Sequence, residues 1–111
     1  MIPTPSRILL ATAPVDFRNS IDGLAAFVET RLREPPLSGT MFVFRNRAKN
    51  GLKLLYWSHG GFLLIYKKLE RGKFQVPTGE ADRVTLSQAE IAAILEGIDI
   101  RKAHRLKRWN P

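Results

Sequence analysis

Two hydrophobic periods alternate along this chain, and each change of period marks a new element. Residues 7–12 hold the apolar run Ile8-Leu9-Leu10-Ala11, stopped by Pro14, and read as a strand. Ile21, Leu24, Ala25, Val28 and Leu32 then recur at i, i+3, i+4, i+7 and i+11, the spacing of one buried helical stripe. Ser20 is its candidate N-cap and Pro35-Pro36 its stop. Residues 40–45 and 52–57 predict an antiparallel pair around a turn at Asn50-Gly51, a dipeptide that tolerates positive φ angles. A second turn at Gly60-Gly61 leads into a third strand over 62–68, and residues 74–76 and 83–85 can add short edge strands. Ser87-Gln88-Ala89-Glu90 then forms a capping box, with Leu86 positioned to staple onto Ile91 and Gly97 as the stop of a second helix.

In the middle strands apolar residues occupy both parities: Phe42 and Phe44 alternate with Met41 and Val43, and Leu63 and Ile65 with Phe62, Leu64 and Tyr66. Both faces of the sheet therefore need cover, which two helices supply in part and a partner protein or self-association can complete. The expected class is α+β: a single domain in which an antiparallel sheet, a central three-stranded meander plus short edge strands, packs with two helices. At 111 residues and 44% hydrophobic composition, the chain has room for one real core and no second one. The expected division is a flexible N-terminus over 1–6, the domain over 7–100, and a basic C-terminal tail over 101–111.

Charge changes the picture because it is segregated. Residues 45–73 carry eight bases, Arg45, Arg47, Lys49, Lys53, Lys67, Lys68, Arg71 and Lys73, against the single acid Glu70. The tail adds Arg101, Lys102, Arg105, Lys107 and Arg108 with no acid. Residues 1–44 balance four bases with four acids, whereas 74–100 set one base against five acids. Blocks of one sign generate a local field that concentrates counterions or a phosphate backbone, and the pI of about 10.5 passes the basic-domain criterion for nucleic-acid binders without distinguishing DNA, RNA or an acidic protein. The predicted hairpin would carry Arg45, Arg47, Lys49 and Lys53 on one projecting ribbon, a shape that enters a major groove or lies along phosphates. Trp57 and Trp109 are the candidate stacking or partner-contact residues.

Other chemistries find less support. The absence of cysteine excludes disulfides and thiolate metal sites, and the cytoplasm is the expected compartment. Neither a leader pattern nor an apolar run near the roughly 20 residues of a membrane span is present. DNA strand transfer needs closely placed carboxylates on divalent metal. Of the candidates Asp16, Asp22, Glu70, Glu96 and Asp99, no pair has a recognised metal spacing; Asp22 suits a helix's first turn and Glu70 is counterion to its lysines. His59 and His104 lie 45 positions apart, and Ser58-His59 has no orienting acid. No enzyme activity, metal or cofactor is expected.

Four patches carry a family likeness. They are Asp16-x-Arg18-x-Ser20-x-Asp22-Gly23-Leu24-Ala25; Phe42-Val43-Phe44-Arg45-x-Arg47 with Lys53 and Trp57; Tyr66-Lys67-Lys68-Leu69-Glu70-x-Gly72-x-Phe74-x-x-Pro77; and Leu95-Glu96-Gly97-Ile98-Asp99. Over residues 8 to 100, in this order, the chain resembles the small accessory proteins, called TnpB or the second-frame product, of the insertion-sequence family numbered sixty-six. The resemblance implies a protein encoded beside a separate, larger transposase and assisting movement of the element; it does not imply the RNA-guided nuclease that shares the TnpB name. Two departures are Ser58-His59, where such proteins commonly have an acidic residue and glycine, and Ile100, where they commonly have tryptophan. The expected function is a non-catalytic accessory factor that grips element-end DNA by phosphate contacts and helps the transposase. An adaptor docking on the transposase without DNA binding, and an RNA-binding module, are the alternatives.

Overall fold

The computed structural model describes residues 4–101. Their order is β1 (Arg7–Ala11), α1 (Ile21–Thr30), β2 (Thr40–Arg45), β3 (Gly51–Ser58), β4 (Gly61–Lys68), β5 (Arg83–Leu86) and α2 (Gln88–Leu95). The strands form one sheet in the order β4-β3-β2-β1-β5. The class is α+β with a mostly antiparallel sheet, and the meander β2-β3-β4 is antiparallel throughout. One pairing departs from the expected pattern: β1 lies parallel to β2, Leu9 opposite Phe42, because α1 carries the chain back to the start of the sheet. β5 pairs antiparallel with the outer side of β1.

Apolar residues of both parities are accounted for by two cores. On one face Leu9, Phe42, Phe44 and Leu55 meet Leu24, Val28 and Leu32 of α1 and the turn after it. On the other, Ile8, Leu10, Met41, Val43, Leu52 and Leu54 meet Ile91 and Ile94 of α2 together with Phe74, Val76 and Ile100. Phe74 and Val76 thus belong to the core as an irregular segment and not as the edge strand their pattern suggested.

α2 has the ends its residues predict. The Ser87 side chain accepts from Glu90 N at 3.0 Å and the Glu90 side chain accepts from Ser87 N at 2.8 Å. At the other end Gly97 has φ 85°, and Gly97 N and Ile98 N donate to the carbonyls of Ile94 and Ala93, the two bonds of a left-handed helix stop. α1 ends at Thr30, short of Pro35-Pro36, and Ser20 caps it without a side-chain hydrogen bond.

Both hairpin turns differ from expectation by one position. In the β2–β3 connection the positive φ belongs to Lys49, at 63°, and Gly51 is already in the strand. Gly51 is small for packing: a Cβ there would lie 2.9 Å from the Phe17 ring and 3.2 Å from that of Tyr66. The β3–β4 turn is His59-Gly60, at φ 47° and 82°, closing on the pair Ser58–Gly61.

Candidate nucleic-acid interface

Register decides which cations reach solvent. Along β3, Lys53 shares its parity with Leu55 and Trp57, opposite Phe44 on one side and Tyr66 on the other, all facing α1. Lys53 is accordingly 6% exposed, and its Nζ donates to the carbonyls of Phe17 and Asn19, both at 2.9 Å. The ammonium also lies 4.9 Å and 5.3 Å from the centroids of Phe17 and Tyr66, which meet edge to face. Lys53 therefore ties the loop before α1 to the sheet and does not project from the ribbon.

Arg45 is the second correction. It points to the α2 side with Met41 and Val43, is 8% exposed, and donates from Nη2 to the Thr12 carbonyl at 3.0 Å. Its Nε finds no acceptor among the described residues. Burial pushes the guanidinium below its ordinary pKa and the neighbouring charge of Arg47 adds to the shift. The expected four-cation ribbon is thus reduced to Arg47 and Lys49.

Those two gain other companions. The loop 46–50 is braced by Asn46, whose Nδ2 donates to Asn50 Oδ1 at 2.6 Å and whose Oδ1 accepts from Gly51 N at 3.0 Å. Leu69 N donates to the Asn50 carbonyl at 2.8 Å and Phe74 N to that of Lys49 at 2.7 Å. These bonds clasp loop 69–73 against loop 46–50 and bring the exposed Lys68, Arg71 and Lys73 to the end of the sheet that bears Arg47 and Lys49.

Arg18 joins this end, a residue the charge blocks did not single out because it stands alone in a balanced segment. Its side chain is 92% exposed, and the loop around it lines a shallow recess with Asn46, Arg47 and Ala48. Asp16 pairs with Arg18 at 2.5 Å; that hydrogen-bonded partner holds the Asp16 carboxyl at about 2, against an ordinary 3.8. The rim thus presents Arg18, Arg47, Lys49, Lys68, Arg71 and Lys73 against Asp16 and Glu70.

The remaining candidates lie elsewhere. Lys67 turns to the α2 side and donates to the Leu95 carbonyl at 2.5 Å, capping that helix. Arg101 pairs with Asp99 at 2.8 Å and donates to Gln75 at 2.9 Å, two residues beyond Lys73. Trp57 packs edge to face on Phe62 at the end of β3 remote from the rim, so the sheet does not bring it to the basic loops. Lys102, Arg105, Lys107, Arg108 and Trp109 lie outside the described residues.

Several acids besides Asp16 are used in ion pairs. Glu34 accepts from Arg7 at 2.5 Å and Arg83 at 2.6 Å, and Asp82 accepts from Arg83 at 2.9 Å. Among the described residues no three histidine or carboxylate side chains converge to hold a metal ion. Among them, too, no helix is long and apolar enough to cross a membrane. Of the two departures noted in the sequence, His59 sits at an exposed turn tip, whereas Ile100 is a core position.

Comparison with known proteins agrees with the motif pattern. The uncharacterized protein y4hO of Sinorhizobium fredii is 39% identical over 106 residues, spanning 95% of this chain and 90% of its own length. The uncharacterized protein y4jC of the same organism is 37% identical over 99 residues, 89% of this chain and 85% of its own length. No solved structure matches the chain. The family model described as IS66 Orf2-like protein, TnpB of IS66, matches residues 6–105, and the chain belongs to that family of insertion-sequence accessory proteins.

Proposed function

We propose that this accessory protein of transposition binds the DNA of its element through the cationic rim, chiefly by phosphate contacts, and that it does so without catalysing strand transfer itself. The observation that carries the reading is the hydrogen-bonded clasp between loops 46–50 and 69–73, at the end of the sheet that bears Arg47, Lys49, Lys68, Arg71 and Lys73. Cations held on a braced platform neutralise a backbone with less ordering cost than cations on independent loops. The carboxylates support a non-catalytic role, because Asp16, Glu34, Asp82 and Asp99 accept from arginine and, among the described residues, no three are grouped as metal ligands. The separate transposase is the natural protein partner, and the cytoplasm, where element DNA lies, is the site of action.

Gel retardation of element-end DNA over 50 to 200 mM salt tests this, comparing the native chain with a variant carrying Arg47→Ala, Lys49→Ala, Arg71→Ala and Lys73→Ala. Each phosphate contact contributes about 0.9 to the slope of log affinity on log salt, so the variant's slope should flatten by about three to four. An unchanged slope and affinity in a folded variant would overturn the rim assignment. Comparable binding of random duplex would identify backbone contacts as the source of affinity.

A further inference from the structure

β4 ends the sheet, and its outer edge is unusually open. All eight residues pair with β3 from Gly51–Lys68 to Ser58–Gly61 without a bulge, and among the described residues nothing pairs with the other side. Leu63 and Tyr66 are exposed, and Phe62, Leu64 and Ile65 half-buried. Proteins guard such edges with lysine, proline, bulges or brevity. Here Phe62–Tyr66 carries no charge and no proline, the exposed Lys67 is drawn over the α2 face onto the Leu95 carbonyl, and Lys68 stands at the very end. The opposite edge, β5, is only four residues long and bears Arg83, fixed by Glu34 and Asp82.

We infer that β4 pairs antiparallel with β4 of a second copy, about a two-fold axis through Leu64, to make one continuous sheet. The strand is self-complementary in that register. A two-fold axis that keeps both α1 faces on the same side opposes residues of equal parity, so it must pass through a residue. Through Leu64 it sets Leu63 against the partner's Ile65 on the α2 side, and Phe62 against the partner's Tyr66 on the α1 side. Lys67 then meets the partner's Gly61. An axis through Tyr66 or Lys67 would crowd the four lysines of the two strands together. Strand pairing over seven residues buries less than the roughly 1,600 Å² of a standard interface, so the dimer forms with a dissociation constant on the order of micromolar.

A consequence for the rim rests on the DNA reading above, although the pairing itself does not. Lys68 lies four residues from the axis, so the two copies hold it about 26 Å apart along the strands at about 3.3 Å per residue. The loops bearing Arg47, Arg71 and Lys73 extend beyond it at each end. Two cationic ends about 26 Å or more apart come within reach of phosphates about one turn, roughly 34 Å, apart on a duplex.

The chain contains no cysteine, which makes cross-linking decisive. In the full chain, Leu64→Cys puts two thiols opposite each other at the axis, within the Cα separation a disulfide accepts, whereas Leu63→Cys holds its thiols two residues out of register. Mild oxidation should link Leu64→Cys into dimers and leave Leu63→Cys monomeric. Sedimentation of the native chain should show a reversible dimer that Leu63→Gln weakens by about tenfold or more, with the circular dichroism of the native fold retained. A native chain that stays monomeric well above micromolar concentration would overturn the pairing, and equal cross-linking at both positions would overturn the register. A monomer that still retards DNA would remove the dimer and spare the rim. An intact dimer whose rim variant binds DNA like the native chain would do the reverse.

Discussion

Replacing Lys53 by Met separates a structural cation from a DNA-binding one. The ammonium makes two hydrogen bonds to backbone carbonyls and sits near two aromatic rings. A hydrogen bond to a charged group is worth about 1.5 kcal/mol or more, and a shielded cation–π contact about 1 kcal/mol. Methionine restores most of the stem's apolar contact, and losing the ammonium's burial cost offsets part of the loss, leaving a destabilisation of about 3 kcal/mol. With a urea dependence of about 2 kcal/mol per molar, the unfolding midpoint should fall by about 1.5 M. The salt slope of DNA binding, measured where the variant is folded, should remain that of the native chain, whereas Arg47→Ala should lower it by about 0.9. A Lys53→Met variant that unfolds within about 0.5 kcal/mol of the native protein would refute the structural role of the ammonium. So would a variant that flattens the salt slope as much as Arg47→Ala.

Two further outcomes follow from the local geometry. The Asp16 carboxyl is held at about 2 against 3.8, so folding favours its ionised form; the contribution is fully present above about pH 4 and is lost as pH falls towards 2. An NMR titration of that carboxyl should place its midpoint near 2, and Arg18→Ala should return it towards 3.8. Gly97→Ala meets no neighbour within 4 Å but forces a side chain to φ 85°, which costs about 1 kcal/mol and lowers the thermal midpoint by about 4 °C. A calorimetric midpoint unchanged by that substitution would show that the helix end relaxes.

Much of this fold is written in local patterns. The capping box and Gly97 delimit α2 because each acts within a few residues, and the double-parity strands announce two cores without showing what fills them. The parallel β1–β2 pair was not legible, since a strand pairing over more than thirty positions leaves no local trace. Phe74 and Val76 look like a strand but pack as an irregular segment, because burial and not backbone pairing selected their residues. The buried cations were legible in principle: Lys53 has the parity of Leu55, and Arg45 that of Val43. Charge density along the predicted hairpin nonetheless places both on a projecting ribbon, because parity names a face and not what covers it. Arg18 reaches the rim only through tertiary folding of its loop.

The sheet order has a consequence for synthesis. β1 is made before the other strands, yet among the described residues its outer side is covered by residues 83–86, late in the sequence. Until the ribosome has released those residues, Ile8 to Ala11 present an uncovered rail to other nascent chains. Fragments ending before residue 83 should accumulate as aggregates, and synthesis through β5 is required for escape from that hazard.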